Sequence, residues 1–246
     1  MDRALYVAMT GATQSLRAQA VNNHNLANAS TTGFRAEIAA QSALQVEGAG
    51  LPTRVNALLG GAGWDASSGV VMQTGNALDV SLAEGRWLAV QSADGREAYT
   101  RAGNLRLTSL GQLVTHAGQP VLGDGGPISV PPNTSLSIGE DGTVSIVPQG
   151  QGPEVKAEVG RMKIVIGGPD SLDRGKDGLM YARDDAELLA SAGASLTVGT
   201  LESSNVNAAD AMVNMINLSR QFEMQVRMMR AVNENEQAAQ SIVRMR

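Results

Sequence analysis

Residues 205–246 read NVNAADAMVNMINLSRQFEMQVRMMRAVNENEQAAQSIVRMR, and from Val206 onward they contain neither Gly nor Pro. Ala, Met, Glu, Gln and Arg dominate, all good helix formers. Asn207 suits the cap, and Asp210 stands three residues later, where a carboxylate meets the positive end of the helix dipole. Positions 208, 211, 215, 218, 222, 225, 229, 232, 236, 239 and 243 alternate steps of three and four, and nine of these eleven are apolar. The stripe includes Met215, Leu218, Phe222, Met229 and Val232. At ~1.5 Å per residue such a helix runs about 55 Å, more than a compact domain needs, so it is expected to seek another helix.

The other end of the chain is built alike. Leu5, Met9, Ala12, Leu16, Gln19, Asn23 and Leu26 keep the same alternation, and five of the seven are apolar. The stripe is thin, and Gly11 weakens the helix by about 1 kcal/mol. Neither helix buries enough along one narrow stripe to be secure alone. The pattern predicts that the two ends pair as a coiled coil, within or between chains, and fold fully only on assembly.

Composition narrows the chemistry. The 246 residues allow a sizeable core, but with aromatics at 3% and 28 Gly it must rest on Val, Leu, Ile, Ala and Met. With no Cys, disulfides, thiolate metal sites and cysteine nucleophiles are excluded, and His24 and His116 alone do not make a metal cluster. The net charge of −5 is uneven: residues 1–35 carry +2 and residues 206–246 carry +1, which leaves −8 for the middle. Nothing there suits nucleic acid or an anionic membrane surface. No apolar run approaches the ~20 residues of a membrane helix. Ala18-Gln19-Ala20 imitates a signal-peptidase site, but Gln14, Ser15 and Arg17 interrupt the segment that should be greasy, so no signal peptide is expected.

Between the helices the periodicity changes. The first helix should stop near Asn28, where Asn28-Ala-Ser-Thr-Thr-Gly33 favours turns. From Glu47 to Gly75 the glycine-studded sequence reads as an extended arm. Short apolar or alternating runs follow at 78–82, 87–91, 105–107, 112–115, 128–130, 136–138, 144–147 and 162–166, split by turn signals. Asp94-Gly95 and Asp141-Gly142 suit hairpins. Residues 193–201 read as a last strand. The expected fold is α+β: terminal helices 1–28 and 205–246, an arm formed by 29–76 and 190–204, and a Gly-rich antiparallel β domain over 77–189.

Candidate catalytic motifs are weak. Gly168-Pro-Asp-Ser-Leu-Asp-Arg-Gly-Lys176-Asp177 has the wrong glycine spacing for a phosphate loop and lacks its Ser or Thr, so it reads as a surface turn. Asp170, Asp173 and Asp177 lack the alternation of a calcium loop. Asp79, Glu84, Asp94 and Glu97 leave a carboxylate-pair hydrolase as a rival. Trp87 and Tyr99 read as core, and His24 as a polar-face residue. Met212, Met215, Met224, Met228, Met229 and Phe222 form a soft surface suited to helix partners.

The motif Asn25-Leu26-Ala27-Asn28-Ala29-Ser30-Thr31-Thr32-Gly33-Phe34-Arg35 resembles the N-terminal signature of bacterial flagellar rod, hook and hook-associated axial proteins. Leu201-Glu202-Ser203-Ser204-Asn205-Val206-Asn207, with Phe222-Glu223-Met224-Gln225, is similar to the matching C-terminal end. Arg86-Trp87-Leu88-Ala89-Val90-Gln91, Tyr99-Thr100-Arg101 and Gly126-Pro127-Ile128 look like a proximal-rod type of that family, with a distal-rod or hook type as the alternative within it. The resemblance implies a structural subunit with no enzymatic activity and no cofactor. It implies export through the flagellar type III apparatus, and helical assembly with itself and other rod proteins in the periplasmic rod. Leu5, Met9, Ala12, Leu16, Leu26, Met215, Leu218, Phe222, Met229 and Val232 would form the assembly seam. A rival of another class is a secreted β domain on a coiled-coil stalk that binds a discrete ligand.

Overall fold

A computed structural model describes residues 2–39, 41–45, 55–59, 63–150, 155–183 and 188–244. The chain divides into two compact units, one holding residues 1–28, 37–63 and 206–246, the other 29–36 and 64–205.

In the first unit, helix α1 (Asp2–Ala27) packs against helix α2 (Ala208–Arg244). The hairpin of strands Gln41–Gln45 and Val55–Leu59 joins them, with the second strand near α1. Asn207 caps α2: its Oδ1 accepts the Ala209 amide at 3.0 Å. Ala211 is buried, and positions 208, 215, 218, 222, 225, 229 and 232 are half-buried, so the expected α2 stripe is that helix's sheltered face. The side chains at 236, 239 and 243 lie outside the described residues.

On α1 the residues of the expected stripe divide between two faces. Leu5, Met9 and Leu16 are exposed, and the sheltered face is instead Ala8, Gly11, Ala12, Ser15, Ala18, Gln19 and Asn22. Of the predicted stripe only Ala12 is buried, with Gln19 and Leu26 half-buried. The reason is close approach. A Cβ on Gly11 would lie 3.0 Å from the Gln225 side chain, so small residues let the helices approach, and bulky Leu and Met would force them apart. Polar groups stitch the same face, Gln19 Nε2 donating to Ser219 Oγ at 3.3 Å and Asn22 Nδ2 to the Ala211 carbonyl at 2.7 Å.

The second unit is antiparallel β structure. Its largest sheet has five strands in the order Ile164–Ile166, Arg86–Gln91, Glu97–Thr100, Met180–Ala182, Leu172–Arg174. A three-stranded sheet joins Asn133–Ile138, Thr143–Pro148 and Ala157–Arg161. Asp94-Gly95 and Asp141-Gly142 turn their hairpins, the glycines at φ 85° and 88°. Successive side chains of a strand face opposite ways. Leu88 and Val90 accordingly enter the larger core with Val80, Leu113, Val121, Val144 and Ile164, while Trp87 and Ala89 enter a second core with Trp64, Tyr99, Val165, Leu172 and Met180. Buried on both faces, residues 87–90 of this strand are uniformly apolar and lack alternation. Trp64 meets Trp87 edge to face, centroids 5.3 Å apart.

The arm differs from expectation. Trp64 is buried in the second core, and Val71–Gln73 pairs with Thr200–Glu202, so residues 64–76 are part of the β unit. The last strand is two: Leu196–Val198 pairs with Val80–Leu82, then Gly199 at φ 75° redirects the chain into Thr200–Glu202. The supposed surface turn at 168–177 contains a strand whose Leu172 is fully buried.

Candidate functional site

The two motifs at opposite ends of the sequence meet in the β unit. The Gly33 amide donates to the Glu202 carbonyl at 2.8 Å, and the Asn205 amide to the Phe34 carbonyl at 3.3 Å. Gly33 sits at φ 68°, and a Cβ there would lie 2.4 Å from the Arg101 backbone, so the position accepts only glycine. Asn205 staples three segments: its Oδ1 accepts the Ala36 amide at 2.7 Å, while its Nδ2 donates to the carbonyls of Asp65 at 3.2 Å and Ser67 at 3.0 Å.

Beneath this junction lies a charge cluster that sequence reasoning did not identify. Arg35, Arg101 and Glu202 are each only 1–2% exposed. Glu202 Oε1 pairs with Arg35 Nη2 at 2.7 Å and accepts the Gly69 amide at 2.9 Å. Its Oε2 accepts Arg101 Nε at 2.8 Å and Nη2 at 2.5 Å. Arg101 also donates to the carbonyls of Leu82, Ala83 and Arg86. Burial pulls the Arg101 guanidinium below its ordinary range, and the Glu202 charge opposes that shift. One carboxylate thus serves two buried cations. All three residues stand within the quoted motifs, but nothing in their spacing pairs positions 35, 101 and 202.

The remaining motif residues have local tasks. Asn25 exchanges two hydrogen bonds with the Glu37 backbone, at 2.9 and 2.8 Å. Asn28 closes α1, its amide and Nδ2 both donating to the His24 carbonyl. Ala27 ends that helix exposed, and Thr32 and Val206 are half-buried. Phe34 lies under the Arg174 guanidinium, 4.6 Å from its centroid, and Ser204 is buried.

Large apolar side chains lie exposed on both helices: Leu5, Tyr6 (62%), Met9 and Leu16 on α1, and Met212, Val213, Ile216, Met224 (60%) and Met228 on α2. A groove of about 390 Å³ between Leu5 and Val226, Met229, Arg230, Val232 and Asn233 continues this surface.

Of the acids considered for hydrolysis, Asp79, Asp94 and Glu97 each have their own partner, and Glu84 is exposed. Asp79 accepts the Thr74 hydroxyl at 2.7 Å, Asp94 pairs with Arg96 at 2.6 Å, and Glu97 pairs with Lys163 at 2.8 Å. Asp173 pairs with Arg183, and Asp177 accepts the Tyr181 hydroxyl at 2.5 Å. Among the described residues, no group of His, Asp and Glu has the arrangement of a metal site, and no helix is long and apolar enough to cross a membrane.

Three family models match the chain in succession: a flagella basal body rod protein model over residues 5–35, a flagellar hook protein FlgE/F/G D1 domain over 84–146, and a flagellar basal body rod FlgEFG protein C-terminal model over 197–242. The first and last bracket the two segments that meet at Gly33 and Glu202. Similar whole chains include flagellar basal-body rod protein FlgF of Salmonella typhimurium, 44% identical, and that of Escherichia coli, 43% identical, each covering 100% of both chains. FlgF of Caulobacter vibrioides is 32% identical over 93% of both. FlgG of Buchnera aphidicola subsp. Schizaphis graminum is 30% identical over 98% of this chain. With full-length identity to FlgF proteins and all three models in order along it, the chain belongs to the FlgF family of flagellar basal-body rod proteins.

Proposed function

We propose that the chain is a structural subunit of the proximal part of the flagellar rod, working without a cofactor or covalent chemistry. The observation that carries this reading is the exposed apolar surface on both terminal helices. A pair that turns Tyr6, Met9, Leu16, Ile216, Met224 and Met228 outward leaves its main hydrophobic area for neighbours to cover. Those neighbours are further copies and other rod proteins, joined through coiled-coil contacts that stiffen the rod along its axis. Leu5, Met9 and Leu16 then belong to contacts between chains, while Ala12 and the α2 stripe serve the pairing within one. Export proceeds through the flagellar type III apparatus, and the site of action is the periplasmic part of the basal body.

Fractionation tests the reading. Basal bodies purified from the source bacterium should contain the chain, which should stay with the rod when the outer rings are stripped. Recovery only in the soluble periplasm would contradict it.

A further inference from the structure

The strand Val71–Gln73 has one partner, Thr200–Glu202, and its other edge is open among the described residues. The register fixes which groups that edge presents. Thr74 donates to Gly199, and Ser203 donates to Val70, so residues 70, 72 and 74 direct their backbone groups at the partner strand. In an antiparallel ladder the intervening residues point the other way. The amides and carbonyls of Val71 and Gln73 therefore face outward. The surrounding side chains are apolar and exposed: Val70 at 72%, Val71 at 53% and Met72 at 54%. Natural edges are usually blocked by Lys, Pro, a bulge or a covering loop. Among residues 70–73, none is charged and none is Pro.

Unpaired backbone groups at strand spacing specify an extended peptide as occupant. The chain holds a second such edge. Gln41–Gln45 pairs only with Val55–Leu59 among the described residues, and QSALQ is likewise uncharged and free of Pro. Two different open edges on one chain matter for symmetry. Pairing the Val71 edge with its own copy closes a two-fold dimer, whereas pairing it with the Gln41 edge of the next copy is head-to-tail and propagates. A rod requires the second kind.

Building on the rod reading above, we infer that the Val71–Gln73 edge receives the Gln41–Gln45 strand of a second copy as an added β-strand in the assembled rod. The contact would link successive copies through backbone hydrogen bonds, in addition to their helices.

Gln73→Pro provides a direct test. It deletes one outward amide and leaves untouched the groups that bond to Thr200–Glu202, and Pro is tolerated at an edge whose N–H faces solvent. In the full-length chain, this variant should keep the wild-type urea midpoint and be exported normally, yet reduce swimming at least tenfold in a strain lacking the native gene. Should Gln73→Pro fold poorly, Val71→Lys, which places a charge on the exposed edge, carries the same prediction. The absence of Cys makes a cross-link specific: Ser42→Cys with Met72→Cys should give disulfide-linked multimers of this chain in isolated rods and none in the purified monomer. Wild-type swimming by a well-folded edge variant, or cross-linking to a different rod protein, would overturn the inference. If the gene deletion itself leaves swimming intact, the rod reading fails instead; if only the edge variants swim, that reading stands and strand docking alone is rejected.

Discussion

Glu202 is the residue on which the β unit's entry and exit segments depend. Its carboxylate is the counter-charge for both Arg35 and Arg101, and its carbonyl receives Gly33. Removing one member of a buried ion cluster leaves the other charges without compensation, which typically costs ~3–5 kcal/mol. Glu202→Gln should therefore lower stability by about that amount in urea unfolding; a loss below about 1 kcal/mol would show that the arginines find other acceptors. Asn205 gives a subtler case. Asn205→Asp keeps an acceptor for Ala36 but replaces the donor that satisfies Asp65 and Ser67, so roughly 1–3 kcal/mol should be lost, and Asn205→Gln should not restore it because the longer arm displaces both ends. Thermal melts of the two variants check this. At this scale the sequence was only partly legible. The need for Gly33 and the cap at Asn207 follow from local backbone chemistry, which a short motif displays. The Arg35–Glu202–Arg101 cluster depends on contacts spanning more than a hundred residues, and local spacing carries no trace of them.

Among the elements, the helix pair sets the most distinctive expectation. It buries Ala8, Ala12, Ala18 and Ala211 and stitches polar groups, so little apolar area supports it. In purified monomer, amides over Met212–Val232 should exchange far faster than those of Arg86–Gln91; equal protection would contradict marginal helices. The loop from Arg174 to Met180 supplies a pH prediction. Burial raises the Asp177 carboxyl pKa, but hydrogen bonds from the Tyr181 hydroxyl, the Leu179 amide and the Ser92 hydroxyl outweigh it, and the net shift is below the ordinary 3.8. A carboxyl depressed on folding stabilises above its unfolded pKa and loses that contribution as pH falls through its folded value. Asp177→Asn should thus reduce stability at pH 6 and lose less between pH 5 and 3 than wild type; parallel pH profiles would count against it. The contrast between the helices shows what periodicity can and cannot reveal. It located the sheltered stripe of α2, where small and large apolar residues share one face. On α1 it picked the larger Leu and Met residues, although close approach selected the Ala and Gly face.

For the whole molecule, element order was the most legible feature. Two helical ends with heptad-like stripes around short strands and turns mark the chain as α+β from the sequence alone. The division at 64–76 was hidden, because Trp64 and Val71–Gln73 gain their places from distant partners, Leu172 and Thr200–Glu202. The helix surface should govern assembly separately from folding. Ile216→Glu with Met224→Glu, both on exposed positions, should leave the unfolding free energy from urea titration within about 0.5 kcal/mol of wild type yet prevent rod completion. Normal rods with this variant would place the assembly contacts elsewhere. The central claim is that a rod depends on this chain and on its terminal helices. It is tested most directly by deleting the gene in frame and imaging basal bodies by electron microscopy after complementation. The account predicts basal rings without a completed rod or hook, rescued by the full-length chain and not by residues 36–205 alone. Completed rods and normal swimming in the deletion strain would contradict it.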